Sequence, residues 1–461
     1  MSTAAPAPAE PREILEAELT WTAGGFAPGV RIEIGVDGRI GRIEPMIASG
    51  GGEPHDRPAP PVRRLPRRAL LPGFVSAHSH AFQRGLRGQG ERFPSGSGSF
   101  WTWREAMYGL VAAVDPPAFH ALCLQAFREM RGAGITAVGE FHYLHHAGIG
   151  AEGGDDGGDW ALDDLLLAAA AEAGIRLVLL EAYYRTGGIG RPLEGAQRRF
   201  RTPSPGAYWR QMDRLASRLE PRRQTLGAAV HSLRAASRED LAAVHAEARR
   251  RGLPFHLHLE EQRQEIEEVE AAYSARPMEV LCRTVGEPRG VTAVHCTHTA
   301  GGDMERFGAG GGGVCLCPLT EANLGDGIAD LPGMRRAGAL LSLGSDSNAR
   351  ISMLEEMRWM EYGQRLKSES RGVLAEGDSG GGGEVARVAL AAATAGGAAA
   401  LGLPAGAIEP GLWADFAAID LDAPTLAGAT PETLLESLLF GAGEEAIAAT
   451  CVGGEWAFAE R

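Results

Sequence analysis

The sequence predicts an α/β protein: a (β/α)8 TIM-like barrel with a small β-sandwich domain built from both termini. Three observations carry this expectation. Eight short apolar runs alternate with helical patterns over 69–404, strand-and-turn texture fills 13–68, and the same texture returns over 405–461. The eight runs are Leu70–Ser76, Ile135–Glu140, Arg176–Ala182, Leu226–His231, Pro254–Leu259, Val291–Cys296, Gly313–Cys317 and Ala339–Leu343. Between them, Pro116–Arg131, Asp159–Ala173, Arg238–Arg251 and Pro277–Val285 place apolar residues three to four apart, as one face of a helix requires. Two further helices are expected over Ser352–Lys367 and Glu384–Leu401. In the N-terminal part, Val36-Asp-Gly-Arg marks a hairpin. The Pro/Ala-rich residues 1–12 are expected to be a disordered tail. Gly-rich stretches at Gly88–Ser99, Gly148–Gly158, Gly308–Gly313 and Gly377–Gly383 read as flexible connections, the first two as lids on the C-terminal rim. None has phosphate-loop spacing.

Composition narrows the class. With 461 residues, 44% of them hydrophobic, the chain can bury a large core. A net charge of −14 disfavours nucleic acid and anionic membrane as partners, because both need a basic face. The N-terminus has no charged stretch followed by an apolar one, and no run of about 18 apolar residues occurs. Six cysteines are too sparse for a disulfide framework, which suits a reducing compartment, so a cytoplasmic protein with a small-molecule substrate is expected. Cys315 and Cys317 read as two small buried side chains.

The chemistry concentrates at the ends of the runs. His78 and His80 lie two apart and project to one side of an extended strand. His256 and His258 share that spacing, and spacing alone does not choose between them. Glu261, three residues after His258, favours His258 as a ligand beside a general base and leaves His256 as a packed, hydrogen-bonded residue. Glu260 reads as part of a solvated first helical turn. The sixth run ends at His295 and the eighth at Asp346, with His298 left to a loop. Three histidines (His78, His80, His258) and Asp346 form a nitrogen–oxygen site suited to one divalent ion, most simply Zn2+.

The His-x-His after strand one, His-x-x-Glu after strand five, His after strand six and Asp after strand eight resemble the mononuclear deaminases of the amidohydrolase superfamily. The likeness spans nearly the whole chain, and it implies a single metal, since no lysine stands at the fourth strand end, Leu226-Gly-Ala-Ala-Val-His-Ser-Leu-Arg234, to be carboxylated and hold a second. Within that superfamily the chain is similar to the group that deiminates N-formimidoyl-L-glutamate in histidine degradation. The segments carrying this likeness include His78-Ser-His-Ala-Phe-Gln-Arg-Gly-Leu, Phe100-Trp-Thr-Trp-Arg-Glu-Ala-Met-Tyr, Gly139-Glu-Phe-His-Tyr-Leu-His-His, Thr320-Glu-Ala-Asn-Leu-Gly-Asp-Gly and Gly344-Ser-Asp-Ser-Asn. The resemblance implies that Glu261 transfers protons, that His295 stabilises the tetrahedral intermediate, and that Asp346 joins proton handling to metal binding. It implies that Gln83, Tyr143, His231 and Arg234 contact substrate, with Arg104 a further carboxylate partner. It also implies a homodimer. A dicarboxylate substrate makes arginines necessary, and Arg234 at a strand end can offer a bidentate fork. Arg104 is expected in a loop flanked by Trp101 and Trp103, and His145 and His146 in a loop as solvated residues. Two rivals are a deaminase or chlorohydrolase acting on an aromatic ring, and a non-catalytic scaffold barrel.

Overall fold

The computed structural model describes residues 10–46, 60–93, 96, 98–148, 158–375 and 384–458. Sixteen strands fall into two sheets. The first is built from β1 (Pro11–Thr22), β2 (Gly25–Pro28), β3 (Val30–Gly35), β4 (Ile40–Pro45) and β5 (Val62–Pro72). It is completed from the other end of the chain by β14 (Phe416–Asp420), β15 (Ile447–Val452) and β16 (Glu455–Phe458). The second sheet comprises β6 (Phe74–Ser79), β7 (Ile135–His142), β8 (Arg176–Tyr183), β9 (Gln224–Val230), β10 (Phe255–Leu259), β11 (Val291–His295), β12 (Gly313–Leu316) and β13 (Leu340–Leu343).

The second sheet is the barrel. Its eight strands pair in chain order, every neighbour parallel. The strands are short and apolar because both faces are covered, one by packed interior side chains and the other by helices. The helix Arg238–Arg251 shows how sequence bounds the outer ring. Ser237 accepts a hydrogen bond from Asp240 N at its start, and Gly252 ends it with φ 69°, a conformation glycine adopts without penalty.

Closure of the barrel bears directly on function. β6 and the segment just beyond β13 meet through a parallel bridge, Ser79 to Asp346. His80 N donates to Asp346 O at 2.8 Å and Asp346 N to His78 O at 3.1 Å. The seam that closes the barrel therefore runs through three of the expected ligands. Farther along the same seam lies the segment 384–400, expected as one helix. It is a helix interrupted by a π turn at Ala392–Gly396, where a Cβ on Gly396 would stand 2.0 Å from Leu341 O. The π turn lets backbone lie against backbone at the seam.

The mixed sheet has strand order β16-β15-β14-β5-β1-β3-β4, with β2 paired to β1. Alternation along its strands separates two faces. Leu19, Ala69, Leu71, Ala417 and Ile419 join the core of the barrel, while Leu15, Ile32, Ile34, Leu70, Phe416 and Ala418 form a second core. Residues from opposite ends of the sheet share that second core, so the sheet closes over itself like a sandwich. The predicted hairpin joins β3 and β4.

Four details differ from the sequence reading. Leu70–Ser76 is two strands: Leu70–Pro72 end β5, and only after Gly73 does the barrel begin. A Cβ on Gly73 would meet the Thr136 side chain at 2.2 Å, so the chain crosses between sheets where only glycine fits. Pro11 and Arg12, assigned to the tail, already belong to β1; residues 1–9 lie outside the described residues. Leu434–Gly441, read as strands and turns, is a helix whose eight residues are too few for periodicity to declare. Gly308–Gly313 is a tight helix-to-strand junction rather than a flexible connection, with a Cβ on Gly308 falling 2.4 Å from Ala337 O. Most of the Gly148–Gly158 and Gly377–Gly383 stretches lie outside the described residues.

A buried ion pair links the two sheets. Arg176 of β8 grips Asp415 through Nε at 2.8 Å and a terminal nitrogen at 3.0 Å, and both side chains are 2% exposed. Asp415→Ala would strand the guanidinium, and a loss of about 3–5 kcal/mol is expected. Urea unfolding of the wild-type and variant chains measures it.

Candidate active site

Four side chains converge at the C-terminal end of the barrel. The Nε2 atoms of His78, His80 and His258 stand 3.1–3.3 Å apart, and Asp346 Oδ1 lies 3.5 Å from His78 Nε2 and 3.4 Å from His80 Nε2. A hydrogen bond cannot explain the contact between His80 and His258. His80 Nδ1 donates to Phe141 O at 2.8 Å and His258 Nδ1 to His231 O at 2.9 Å, so the Nε2 atoms of both neutral rings carry lone pairs. Two lone pairs facing one another at that distance suit a cation between them. Ligands bonded at about 2.0–2.1 Å in a tetrahedron sit about 3.3 Å apart, which matches the spacing found. The four donors fit a divalent ion, and the backbone acceptors of His80 and His258 orient those two rings as metal-binding histidines need.

The electrostatics follow from burial. Burial pushes His78 down to about 3 and also lowers His80 and His258, keeping the rings neutral and able to bind metal. Burial alone would raise Asp346, but the His78 hydrogen bond and the surrounding histidines outweigh it and hold the carboxylate well below its usual range. Local backbone strain accompanies the site. His295 (φ 75°), Asp346 (φ 44°) and Asn348 (φ 54°) all occupy the left-handed region, at about 1–3 kcal/mol each. Asn348 Nδ2 donates to Ser79 Oγ and to Asp346 O, which locks the loop after β13 onto β6. Gly344 completes the close approach, since a Cβ there would lie 2.8 Å from the backbone oxygen of His78. Gly344→Ala is therefore expected to weaken metal binding by about 10–100-fold, measured by competition with a chromophoric chelator.

Around the ligands lies a cavity of ≈ 550 Å³. Every residue expected to touch substrate lines it: Gln83, Arg104, Tyr143, His231 and Arg234, together with Glu261, His295 and Asp346. Glu261 Oε1 is 3.8 Å from His295 Nε2, and Oε2 is 4.0 Å from an Arg234 nitrogen. Burial raises the Glu261 pKa against the lowering pull of His295 and Arg234. His295 opposes the trend: burial disfavours its charge, yet Glu261, Glu321 and Asp346 outweigh that and raise its pKa well above the ordinary value. Gln83 Nε2 donates to Tyr143 OH at 2.7 Å, while Gln83 Oε1 and Arg234 Nε are buried with no hydrogen-bond partner among the described residues. His231 packs against Tyr143 and Tyr184. Two unsatisfied polar atoms on residues that line one cavity mark it as a place for a polar ligand.

Other expectations are corrected. Arg104 is not in a loop but on the helix Phe100–Ala113, where its Nε donates to Tyr108 OH and its guanidinium lies over the Trp101 and Tyr108 rings. His145 and His146 are buried rather than solvated. Glu260 is buried too, accepting from Met278 N, because φ 53° turns it away from solvent. His256 behaves as expected, packed and bonded to Ala400 O at 2.8 Å, and Cys315 and Cys317 are both buried. The sequence reading gave no role to Glu321, whose Oε1 sits 3.3 Å from His295 Nδ1 and accepts from Cys317 N at 2.9 Å. Its only signal was its position one turn after the seventh strand. Tyr184, immediately after β8, carried a similar signal.

The Amidohydrolase family profile matches residues 69–457. The chain belongs to the amidohydrolase family. It is 38% identical over 441 residues to a formimidoylglutamate deiminase of Pseudomonas aeruginosa, covering 95% of this chain and 93% of that one. It is 28% identical to a 5-methylthioadenosine/S-adenosylhomocysteine deaminase of Natronomonas pharaonis, covering 84% and 80%. Among solved structures, an amidohydrolase from Brucella melitensis superposes with a TM-score of 0.83 at 32% identity, covering 96% and 94%. A zinc-bound adenosine deaminase from Xanthomonas campestris gives a TM-score of 0.78 at 23% identity, covering 97% and 93%, and supports the fold alone. An amidohydrolase with a deiminase homologue is a hydrolase acting on carbon–nitrogen bonds. Among the described residues, no helix is long and apolar enough to cross a membrane.

Proposed function

We propose that the protein hydrolyses N-formimidoyl-L-glutamate to N-formyl-L-glutamate and ammonia, a step of histidine degradation. It would use one zinc ion held by His78, His80, His258 and Asp346. The observation that carries this reading is Arg234, a buried guanidinium whose Nε has no hydrogen-bond partner among the described residues, on a residue that lines the same cavity as Glu261 and the ligands. A carboxylate answers that need, and an uncharged ring does not. The likeness to the Pseudomonas aeruginosa deiminase supports the same substrate. One ion rather than two suits the catalytic site because the chain's sole lysine, Lys367, lies on the helix Met353–Ser368, away from the barrel strands. By the same likeness the enzyme is proposed to act as a cytoplasmic homodimer.

The bound ion would supply Lewis acidity and bring a water's pKa near neutrality. The chain's own groups do the rest. Glu261 takes a proton from the attacking water and delivers it to the departing nitrogen. His295, oriented by Glu321, offers Nε2 to the charge developing on the former formimidoyl carbon's oxygen, and Asp346 shares in proton handling. Gln83 and Tyr143 fix the formimidoyl end, while Arg234 and Arg104 meet the two carboxylates. Water adds across the C=N bond, the C–N bond to the terminal nitrogen breaks, and ammonia leaves.

Ammonia release tests the reading with N-formimidoyl-L-glutamate beside guanine, cytosine and N-formimidoyl-L-aspartate. Turnover is expected with the first; none with it, or a preference for a ring, overturns the proposal. Dialysis against a chelator is expected to remove at least about 99% of activity, and added Zn2+ to restore it.

A further inference from the structure

A second group of potential ligands lies behind the wall of the cavity. His142 ends β7, His145 follows three residues later, Asp163 comes from the helix Ala161–Ala173, and Glu181 from β8. One ligand atom of each lies within 4.8 Å of the others, and all four side chains are buried. His142 Nε2 is 2.9 Å from Asp163 Oδ1, and His145 Nδ1 is 3.2 Å from both Asp163 Oδ1 and Glu181 Oε1. We propose that these four residues form a second divalent-cation site with a structural role, separate from the centre at His78, His80, His258 and Asp346.

Two observations point to an ion. Glu181 is 0% exposed, and neither of its carboxylate oxygens has a hydrogen-bond partner among the described residues, although Oε1 lies 3.2 Å from His145 Nδ1 in this cluster. An ionised carboxylate placed so, beside a second one, needs a positive charge in contact. The proton of His145 is also spoken for. Its Nε2 faces Ala182 O at 3.0 Å, a pure acceptor, so Nε2 carries the hydrogen and the neutral ring turns a lone pair at Nδ1 toward the two carboxylates. His80 and His258 show the same arrangement, one nitrogen on a backbone carbonyl and the other on the ligand cluster. Two neutral imidazoles, two carboxylates and a divalent cation sum to zero charge in a site without solvent, and an N2O2 donor set suits zinc. Gln211 Nε2 donates to Asp163 Oδ2 at 2.5 Å, fixing the carboxylate from outside. An ion there would tie together β7, β8 and the helix between them, and with them Tyr143, which lies between the two histidines in sequence and lines the cavity.

The alternative is that protons hold the cluster, with His145 an imidazolium and Glu181 neutral. Metal content decides between them. The wild-type chain, saturated with Zn2+ and freed of excess by gel filtration, is expected to carry two ions per chain by mass spectrometry of the metal. Glu181→Gln and His258→Ala are each expected to carry one. The His258→Ala chain loaded with Co2+ should show visible d–d absorption from the remaining site, and this measurement serves if Glu181→Gln does not fold. A wild-type plateau of one ion that His258→Ala removes, or a colourless Co2+-loaded His258→Ala chain, overturns the proposal. So does a second ion that Glu181→Gln retains. One wild-type ion that Glu181→Gln removes and His258→Ala keeps would instead support this site and overturn the catalytic metal reading.

Discussion

Glu261→Gln is expected to lower kcat by about 10²–10⁴-fold while metal content stays at the wild-type level and KM changes little. Glutamine preserves the volume and one acceptor oxygen but cannot accept and return a proton. Other carboxylates near the cavity have different duties. Asp346 faces the ligand histidines, Glu321 is engaged by His295 and Cys317 N, and Glu260 points into protein toward Met278 N. Glu261 alone combines burial, a place on the cavity wall and freedom from a short hydrogen bond. A group of this kind is held for use on substrate, and its raised pKa brings it nearer the working range of a proton-transfer group. Ammonia release and metal analysis on one preparation of the variant measure both quantities. A near-normal rate would remove Glu261 from the mechanism, and loss of metal would make it a structural residue instead.

The parts of this site that sequence revealed are those governed by local periodicity. His78 and His80 share a strand face because side chains repeat every two residues, and the strand end places them on the functional rim. The same rule left His256 and His258 undivided. The fold divides them by depth, with His256 two residues below the rim and bonded to Ala400 of the segment at the seam. What sequence hid depends on partners distant along the chain. His145 and His146 look like loop residues, yet their backbone nitrogens donate to Arg199 O and His146 Nε2 meets Arg201 O, some fifty residues on. Trp160 packs against both rings. Glu321 acquires its role only when β11 and β12 lie side by side and bring it to His295. The boundary between the two sheets was hidden for another reason. Leu70 to Ser76 is uniformly apolar, and the single glycine that divides it carries a steric requirement set by Thr136, which no composition rule reports.

Arg234→Met is expected to lower kcat/KM for N-formimidoyl-L-glutamate by about 10–150-fold, from the ~1.5–3 kcal/mol of a hydrogen bond to a charged group. Methionine keeps the apolar stem and removes the fork. Lysine would be a poor control, since a point charge cannot reproduce two parallel donors. Arg234 also lies 4.0 Å from Glu261, so its loss will disturb the proton-transfer group for any substrate. Two analogues, each lacking one of the two carboxylates, separate these effects in a double-mutant cycle. The disturbance to Glu261 is common to all three substrates, whereas the carboxylate interaction vanishes with the carboxylate that Arg234 holds. One analogue should therefore lose markedly less than the full substrate on going from wild type to variant, and the other as much as the full substrate. Equal losses for all three would leave Arg234 an electrostatic neighbour of Glu261 and withdraw the argument for a dicarboxylate. Turnover of an aromatic amine that is unchanged by Arg104→Met, and that Arg234→Met lowers no more than it lowers turnover of an analogue lacking the carboxylate, would favour the ring deaminase, whose substrate has no carboxylate for either guanidinium.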